Sequence, residues 1–269
     1  MARTNGKNIW IKMKPKILVL KTDGTNCDNE TKFAFKLVGG NPKIVHVNEL
    51  RSKKENLKNY QIIALPGGFS YGDDIVSGKI LATELTSFFK EDLQKFIDRK
   101  NTLIIGICNG FQVLVRTGLL PFRKIGKMDV TLTNNDSGKF ECRWVNLKVE
   151  NNSKCVFLKG MTVSYQVAHG EGKFFAPQDT IEKIEKEGLV TFRYVDENGN
   201  PTLKYPENPN GAINAIAGIC DTTGRILGLM PHPERFVYKE QHPNWRRLTI
   251  KKPHGLPIFE NMIKYVKNS

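Results

Sequence analysis

The sequence is short of cysteine, with five in 269 residues: Cys27, Cys108, Cys142, Cys155 and Cys220. The number is odd, the spacings are wide and no C-x-x-C pair occurs, which excludes a disulfide framework and a zinc ribbon as the basis of the fold. Near the N-terminus the longest apolar run, Ile17 to Leu20, is far too short for a signal segment or a membrane span. A reducing, cytoplasmic setting is the expectation, with no membrane partner. No G-x-x-x-x-G-K-S/T loop occurs, so nothing in the chain marks a nucleoside triphosphate site. Acidic residues are also scarce, 27 against 41 Lys and Arg, for a formal charge of +14. The basic residues are spread along the chain and follow no zinc-finger, heptad or aromatic RNA-binding pattern. A solvated lysine-rich surface is favoured over a nucleic-acid partner.

What is present is enough for a core. The hydrophobic fraction is 39% and the charged fraction 25%, values of an ordered globular chain. Residues 1–14 read as a polar extension and 15–269 as one domain. Lys16 to Leu20, Lys43 to Val47, Gln61 to Leu65 and Leu103 to Ile107 read as strands. A helix is expected after Asp23-Gly24, with Phe33, Leu37 and Val38 on its apolar side. Another is expected over 80–100, where Leu85, Phe88, Phe89, Leu93, Phe96 and Ile97 recur at helical steps. Gly110 to Leu119 is helix-compatible, and Pro257 to Lys267 has an amphipathic pattern. Strands alternating with helices predict a central, mostly parallel sheet with helices on both faces, a flavodoxin-like three-layer α/β sandwich. After Pro121 the texture changes. Arg143 to Val149, Leu189 to Val195, Ala212 to Cys220 and Ile226 to Met230 add strands with few helices between them, and Asp196 to Asn210 reads as a long loop.

One local feature carries chemistry. Leu103 to Ile107 ends in Gly106-Ile107-Cys108-Asn109-Gly110, a nucleophilic residue between two glycines where a strand turns into a helix. That is the cysteine form of a nucleophile elbow. Side chains at the flanking positions would collide, and the helix N-terminus is expected to favour thiolate. On this pattern alone, a reactive cysteine and a small buried one are equally good readings. A nucleophile needs a base, and the base an orienting group. Among five histidines, His46 falls within a strand, and His242 and His254 fall in a basic, Pro-rich stretch. His232 follows an apolar strand in Pro231-His232-Pro233-Glu234, where Glu234, two residues on, points the same way in extended backbone. A third element, Pro66-Gly67-Gly68-Phe69-Ser70, ends a strand with two adjacent glycines, whose N–H groups could hold a developing oxyanion.

In this order and at these intervals, the three elements resemble the class I (triad) glutamine amidotransferases. Leu65 to Asp73, Gly106 to Gln112, Ala168 to Gly172, Asn208 to Gly211, Ile216 to Asp221 and Gly228 to Arg235 are similar to one branch, the glutaminase subunits of phosphoribosylformylglycinamidine synthases. The likeness runs from about Lys16 to the C-terminus. It implies Cys108 as nucleophile, His232 as base and Glu234 as its orienter, with backbone N–H groups of Gly68 and Asn109 as oxyanion hole. It implies Gln112, Gly67, Phe69, His169, Gly170 and Glu171 as substrate-binding residues for L-glutamine, and no metal. It further implies a large synthetase subunit carrying ATP and Mg²⁺, a small accessory subunit, and no cofactor in this chain. Two departures stand out. Asp74-Ile75-Val76 replaces the Tyr-Leu-Arg of many members, and Lys21 to Asp28 lacks the proline that often precedes its Gly-x-Asn. The same triad would serve a glutaminase of another amidation pathway. A binding module that keeps the fold has no need of an intact Cys108, His232 and Glu234.

Overall fold

The computed structural model describes residues 14–158 and 160–269, so most of the expected polar extension lies outside the described residues. In chain order the strands are β1 (Lys16–Lys21), β2 (Asn41–His46), β3 (Ile62–Leu65), β4 (Leu103–Ile107), β5 (Thr131–Thr133), β6 (Glu141–Val149), β7 (Thr162–His169), β8 (Lys173–Phe175), β9 (Val190–Val195), β10 (Ile216–Cys220) and β11 (Ile226–Leu229). The helices are α1 (Asp28–Leu37), α2 (Val47–Arg51), α3 (Lys79–Phe88), α4 (Lys90–Asp98), α5 (Asn109–Arg116), α6 (Gln178–Lys186) and α7 (Leu256–Asn268).

Nine strands form one sheet in the order β2-β1-β3-β4-β11-β10-β9-β6-β7, and β5 pairs with β8 apart from it. The sheet is parallel from β2 to β11 and antiparallel from β11 to β7. The strands added in the second half of the chain thus extend the α/β sheet rather than build a separate domain, and one contiguous core runs from Ile17 to Ile263. Composition follows position. β3 and β4 are buried along their whole length, because helices cover both faces of the parallel part. In β7 buried and partly exposed residues alternate, since that outer antiparallel region has one wet face.

The crossover from β1 to β2 runs one way along the sheet and that from β3 to β4 the other, so right-handed connections put α1 and α3 on opposite faces. On the α1 face Phe35 meets Phe259 of α7 edge to face, ring centroids 4.9 Å apart. Because β1, β3, β4 and β11 run parallel, the loops after them share the carboxyl edge, and the change of direction between β1 and β3 opens a crevice there, where such sheets place their ligands.

Two helical expectations need correction. The buried residues of α1 are Asp28, Thr31, Ala34 and Phe35, while Phe33 and Leu37 are about 40% exposed. Phe33 instead rests against Tyr238, 5.8 Å between ring centres. The 80–100 pattern is two helices rather than one. Phe89, at φ −122°, leaves helical geometry between α3 and α4, and Phe88 turns out to solvent. Among elements the sequence did not suggest are β7 and α6.

Candidate active site

β4 and β11 are neighbouring parallel strands with Ile107 beside Leu229, so the residues that follow them emerge together. Cys108 N–H donates to Leu229 O at 2.8 Å, which fixes the elbow to the end of β11. Cys108 itself is at φ 52°, ψ −107°, outside the ordinary regions for an L residue, and α5 starts at the next position. Such a backbone costs about 1–3 kcal/mol and persists only where the surroundings impose it. The two flanking glycines are what the sequence spacing expects. A Cβ on Gly110 would stand 1.9 Å from Leu65 O, and one on Gly106 2.5 Å from Gly110 O. The elbow can fold down onto β3 only without those side chains.

Past β11, His232 N–H donates to Gln166 O at 2.8 Å, an isolated bridge that joins the turn to β7. The imidazole and its carboxylate partner are fully buried, and His232 Nδ1 lies 2.6 Å from Glu234 Oε1. Nδ1 therefore carries the proton that Glu234 accepts, which leaves Nε2, buried and with no hydrogen-bond partner among the described residues, as the unprotonated nitrogen. Gly67 backs the ring: a Cβ there would meet His232 Cε1 at 2.6 Å. Cys27 lies beside the same glycine, its Sγ 3.4 Å from where a Gly67 Cβ would stand. Its thiol accepts from Arg235 Nη2 at 3.1 Å, and burial pushes its pKa up to about 12. Cys27, His232 and Glu234 offer metal-ligating atoms within 4.8 Å of one another, yet the Arg235 guanidinium already places a cation beside that sulfur.

A cleft of about 470 Å³ opens over the elbow. Of the residues singled out from sequence, Gly68, Phe69, Cys108, Gln112, His169, Gly170 and Glu171 line it. Gly67, Asn109, His232 and Glu234 are buried neighbours of that lining and do not themselves line the cleft. Cys108 Sγ is 3.6 Å from Ala168 O at the end of β7. Burial drives its thiol well above the usual cysteine value, while a hydrogen bond from the Asn109 N–H and the nearby Arg235 act in the opposite direction. Burial thus works against the thiolate that the helix N-terminus is expected to favour, and holds the sulfur towards the thiol form.

Side-chain hydrogen bonds hold this arrangement, in part through Asn135, which the sequence did not single out. Gln112 Nε2 donates to Glu171 O at 2.6 Å, and its Oε1 accepts from Asn109 Nδ2 at 3.0 Å. Asn109 Nδ2 also donates to Asp73 Oδ1 at 3.1 Å. Asn135 braces the end of β7. Its Nδ2 donates to His169 O at 2.8 Å and its Oδ1 accepts from Gly172 N–H at 3.0 Å and lies 3.1 Å from His169 Nδ1. Burial, followed by the neighbouring His232, lowers the His169 pKa to about 3, so its ring is a neutral wall rather than a second base. Asn210 donates to Gly172 O at 2.8 Å, which gives the Asn208-Pro209-Asn210-Gly211 segment its place. The remaining histidines hold loops. His254 Nδ1 accepts from Ser164 N–H at 3.0 Å, and His46 caps α2. Asn135 and Cys27 carry no local signal, whereas Asp73 lies inside the quoted Leu65–Asp73 motif.

Comparison with known proteins follows the same lines. A model of the CobB/CobQ-like glutamine amidotransferase domain matches residues 14–266. A phosphoribosylformylglycinamidine synthase subunit PurQ of Dehalococcoides mccartyi is 47% identical over 256 residues, 94% of this chain and 98% of that one. A protein of the same name from Methanococcus maripaludis is 45% identical, covering 96% and 97% respectively. Among solved structures, a chain of PurLQS from Thermotoga maritima superposes with a TM-score of 0.69 at 31% identity, over 94% of this chain and 99% of that one. Among the described residues no helix is long and apolar enough to cross a membrane.

Proposed function

The chain belongs to the PurQ branch of the glutamine amidotransferases, and from that membership we propose that Cys108, His232 and Glu234 release ammonia from L-glutamine for a synthetase that makes formylglycinamidine ribonucleotide in purine biosynthesis. The observation that carries this reading is the buried His232–Glu234 pair with Nε2 left unpartnered among the described residues, at the end of the strand beside the Cys108 elbow.

The Cys108 sulfur attacks the γ-carboxamide carbon while its proton passes to His232 Nε2. The negative charge that develops on the carbonyl oxygen is held by the N–H groups of Gly68 and Asn109. In that loop the N–H of Phe69 is committed to Gly24 O at 2.9 Å, while Gly68 N–H has no such backbone acceptor among the described residues, which supports Gly68 as a donor. His232 returns the proton to the departing ammonia, and a γ-glutamyl thioester remains. Water, activated by the same Nε2, cleaves the thioester to glutamate and restores the thiol. Glu234 holds the ring in one tautomer and stabilises its charged form. Gly67 supports the imidazole, and Gln112, Phe69, His169, Gly170 and Glu171 receive the amino-acid end of the substrate.

Ammonia is protonated in open water, so it has to be consumed by a docked chain rather than released. In this reading the large synthetase subunit binds ATP, Mg²⁺ and formylglycinamide ribonucleotide, and a small accessory subunit completes the complex. The five free cysteines suit a reducing cytoplasm. The test is amidation by the assembled complex with Cys108→Ala. Glutamine-dependent turnover should vanish while ammonia-dependent turnover stays at the parent rate. Glutamine use at the parent rate by that variant would sink the assignment.

A further inference from the structure

The cleft contains a carboxylate that the triad does not use. Asp73 lines it together with Glu171, and Lys139 stands at the rim. Arg116 lies one layer back, with its Nη2 4.0 Å from Glu171 Oε2 and its Nε donating to Ser77 O at 2.8 Å. Asp73 differs from Glu171 in its partners. Its Oδ2 accepts from Ser77 Oγ at 3.0 Å, and its Oδ1 accepts from Gly78 N–H at 3.2 Å and Asn109 Nδ2 at 3.1 Å. All three donors are neutral, and among the described residues Asp73 forms no ion pair. Arg116, which Asp73 and Glu171 both attract, stays outside ion-pair distance of Asp73, so a partly buried carboxylate fixed by neutral donors in a cleft is left as an anionic socket for a positive group.

The backbone reinforces this. Tyr71, Gly72 and Asp73 are all left-handed, at φ 55°, 68° and 53°. Tyr71 and Asp73 each bear the strain of a side chain in that region, about 1–3 kcal/mol. The segment is held there by Tyr71 N–H on Asp23 O at 2.8 Å and by the Tyr71 hydroxyl on Glu84. The result is that Asp73 faces Asn109, the residue next to the nucleophile.

We propose that Asp73 anchors the α-ammonium group of L-glutamine and makes the site selective for a free amino acid over a simple amide. This rests on the glutaminase reading above and deepens it. In glutamine the α-nitrogen lies roughly 5 Å from the carboxamide carbon, and Asp73 lines the same cleft as Cys108 and is hydrogen-bonded to the residue that follows it. Burial raises the Asp73 carboxyl above its usual range, with Glu171 adding to the effect, and an arriving ammonium would relieve both.

The experiment compares L-glutamine with glutaramate, which keeps the carboxamide and carboxylate but has no amino group, in the assembled complex. The parent should prefer glutamine by about 100-fold in kcat/KM, as expected when a built polar socket loses its partner. Asp73→Asn should cut kcat/KM for glutamine by about 100-fold and leave glutaramate within about threefold, so that the preference collapses. Asp73→Glu, which retains the charge, should recover part of it. Ammonia-dependent turnover should be unchanged in all of them. Should Asp73→Asn lose its fold by circular dichroism, Asp73→Ser takes its place, with a hydroxyl left to accept from Gly78 N–H. A parent that uses both substrates equally, or a variant in which both fall by the same factor, overturns the assignment in favour of a structural Asp73. A parent complex that amidates with ammonia but not with glutamine would instead refute the glutaminase reading.

Discussion

His232 Nδ1 and Glu234 Oε1 are 2.6 Å apart in a pocket that leaves the two side chains 1% and 0% exposed. A buried imidazolium without a carboxylate beside it is costly, and a neutral amide can stabilise the wrong tautomer. Glu234→Gln should therefore lower glutamine-dependent kcat by about 10²- to 10⁴-fold and leave ammonia-dependent turnover intact, as measured by steady-state kinetics on the complex. Full glutamine activity in that variant would remove Glu234 from the triad.

Thiol chemistry should separate the five cysteines. Cys142 is exposed, whereas Cys27, Cys108, Cys155 and Cys220 are buried. Burial holds the Cys27 and Cys220 thiols at about 12 and about 11. Iodoacetamide at neutral pH should label Cys142 first, with no loss of activity, by peptide mass spectrometry. Because the Cys108 pKa is raised above 9.0, its alkylation in the free chain should keep accelerating as pH climbs through 9. A plateau below pH 8 would indicate a preformed thiolate instead.

Acid should weaken the fold through His169. Its pKa falls from 6.5 in the unfolded chain to about 3 when buried, so the unfolded state binds the extra proton first. The stability this residue confers is complete above pH 6.5 and drains away as pH drops towards 3. In urea titrations across that window, His169→Gln should flatten the pH dependence relative to the parent. An unchanged slope would show that the acid sensitivity lies elsewhere.

Gly110→Ala adds one methyl group 1.9 Å from Leu65 O, where only backbone could yield. Overpacking of this kind is expected to cost about 1–3 kcal/mol or more, together with displacement of Cys108. Thermal unfolding should show a lower midpoint and glutamine turnover should fall. A variant with parent stability would mean that α5 can shift away from β3.

Much of this was readable in one dimension. Leu103 to Ile107 is an unbroken apolar run because both faces of β4 are covered, and the glycines at 106 and 110 register a steric need that any sequence must meet. The His232/Glu234 spacing was equally plain. What escaped depends on the far end of the chain. Phe33 looks like a core residue on a helical wheel, but α7 and the sheet take the face that bears Ala34 and Phe35. β7 passes as a loop until its Val163, Tyr165 and Val167 are read at every second position. Nothing near Cys27 reveals that its thiol meets Arg235, 208 positions away.

The seam between β4 and β11 sets an order of events during synthesis. β11 supplies the neighbour for β4 and the scaffold for His232, and it is made more than a hundred residues later. Until then a nascent chain has Cys108 without His232, and the open flank of a fully buried strand is a docking edge for chaperones or for aggregation. Cys108 and His232 thus come together only when the last strand slots into the middle of a sheet already begun, so on the proposed chemistry a prematurely terminated product would consume no glutamine.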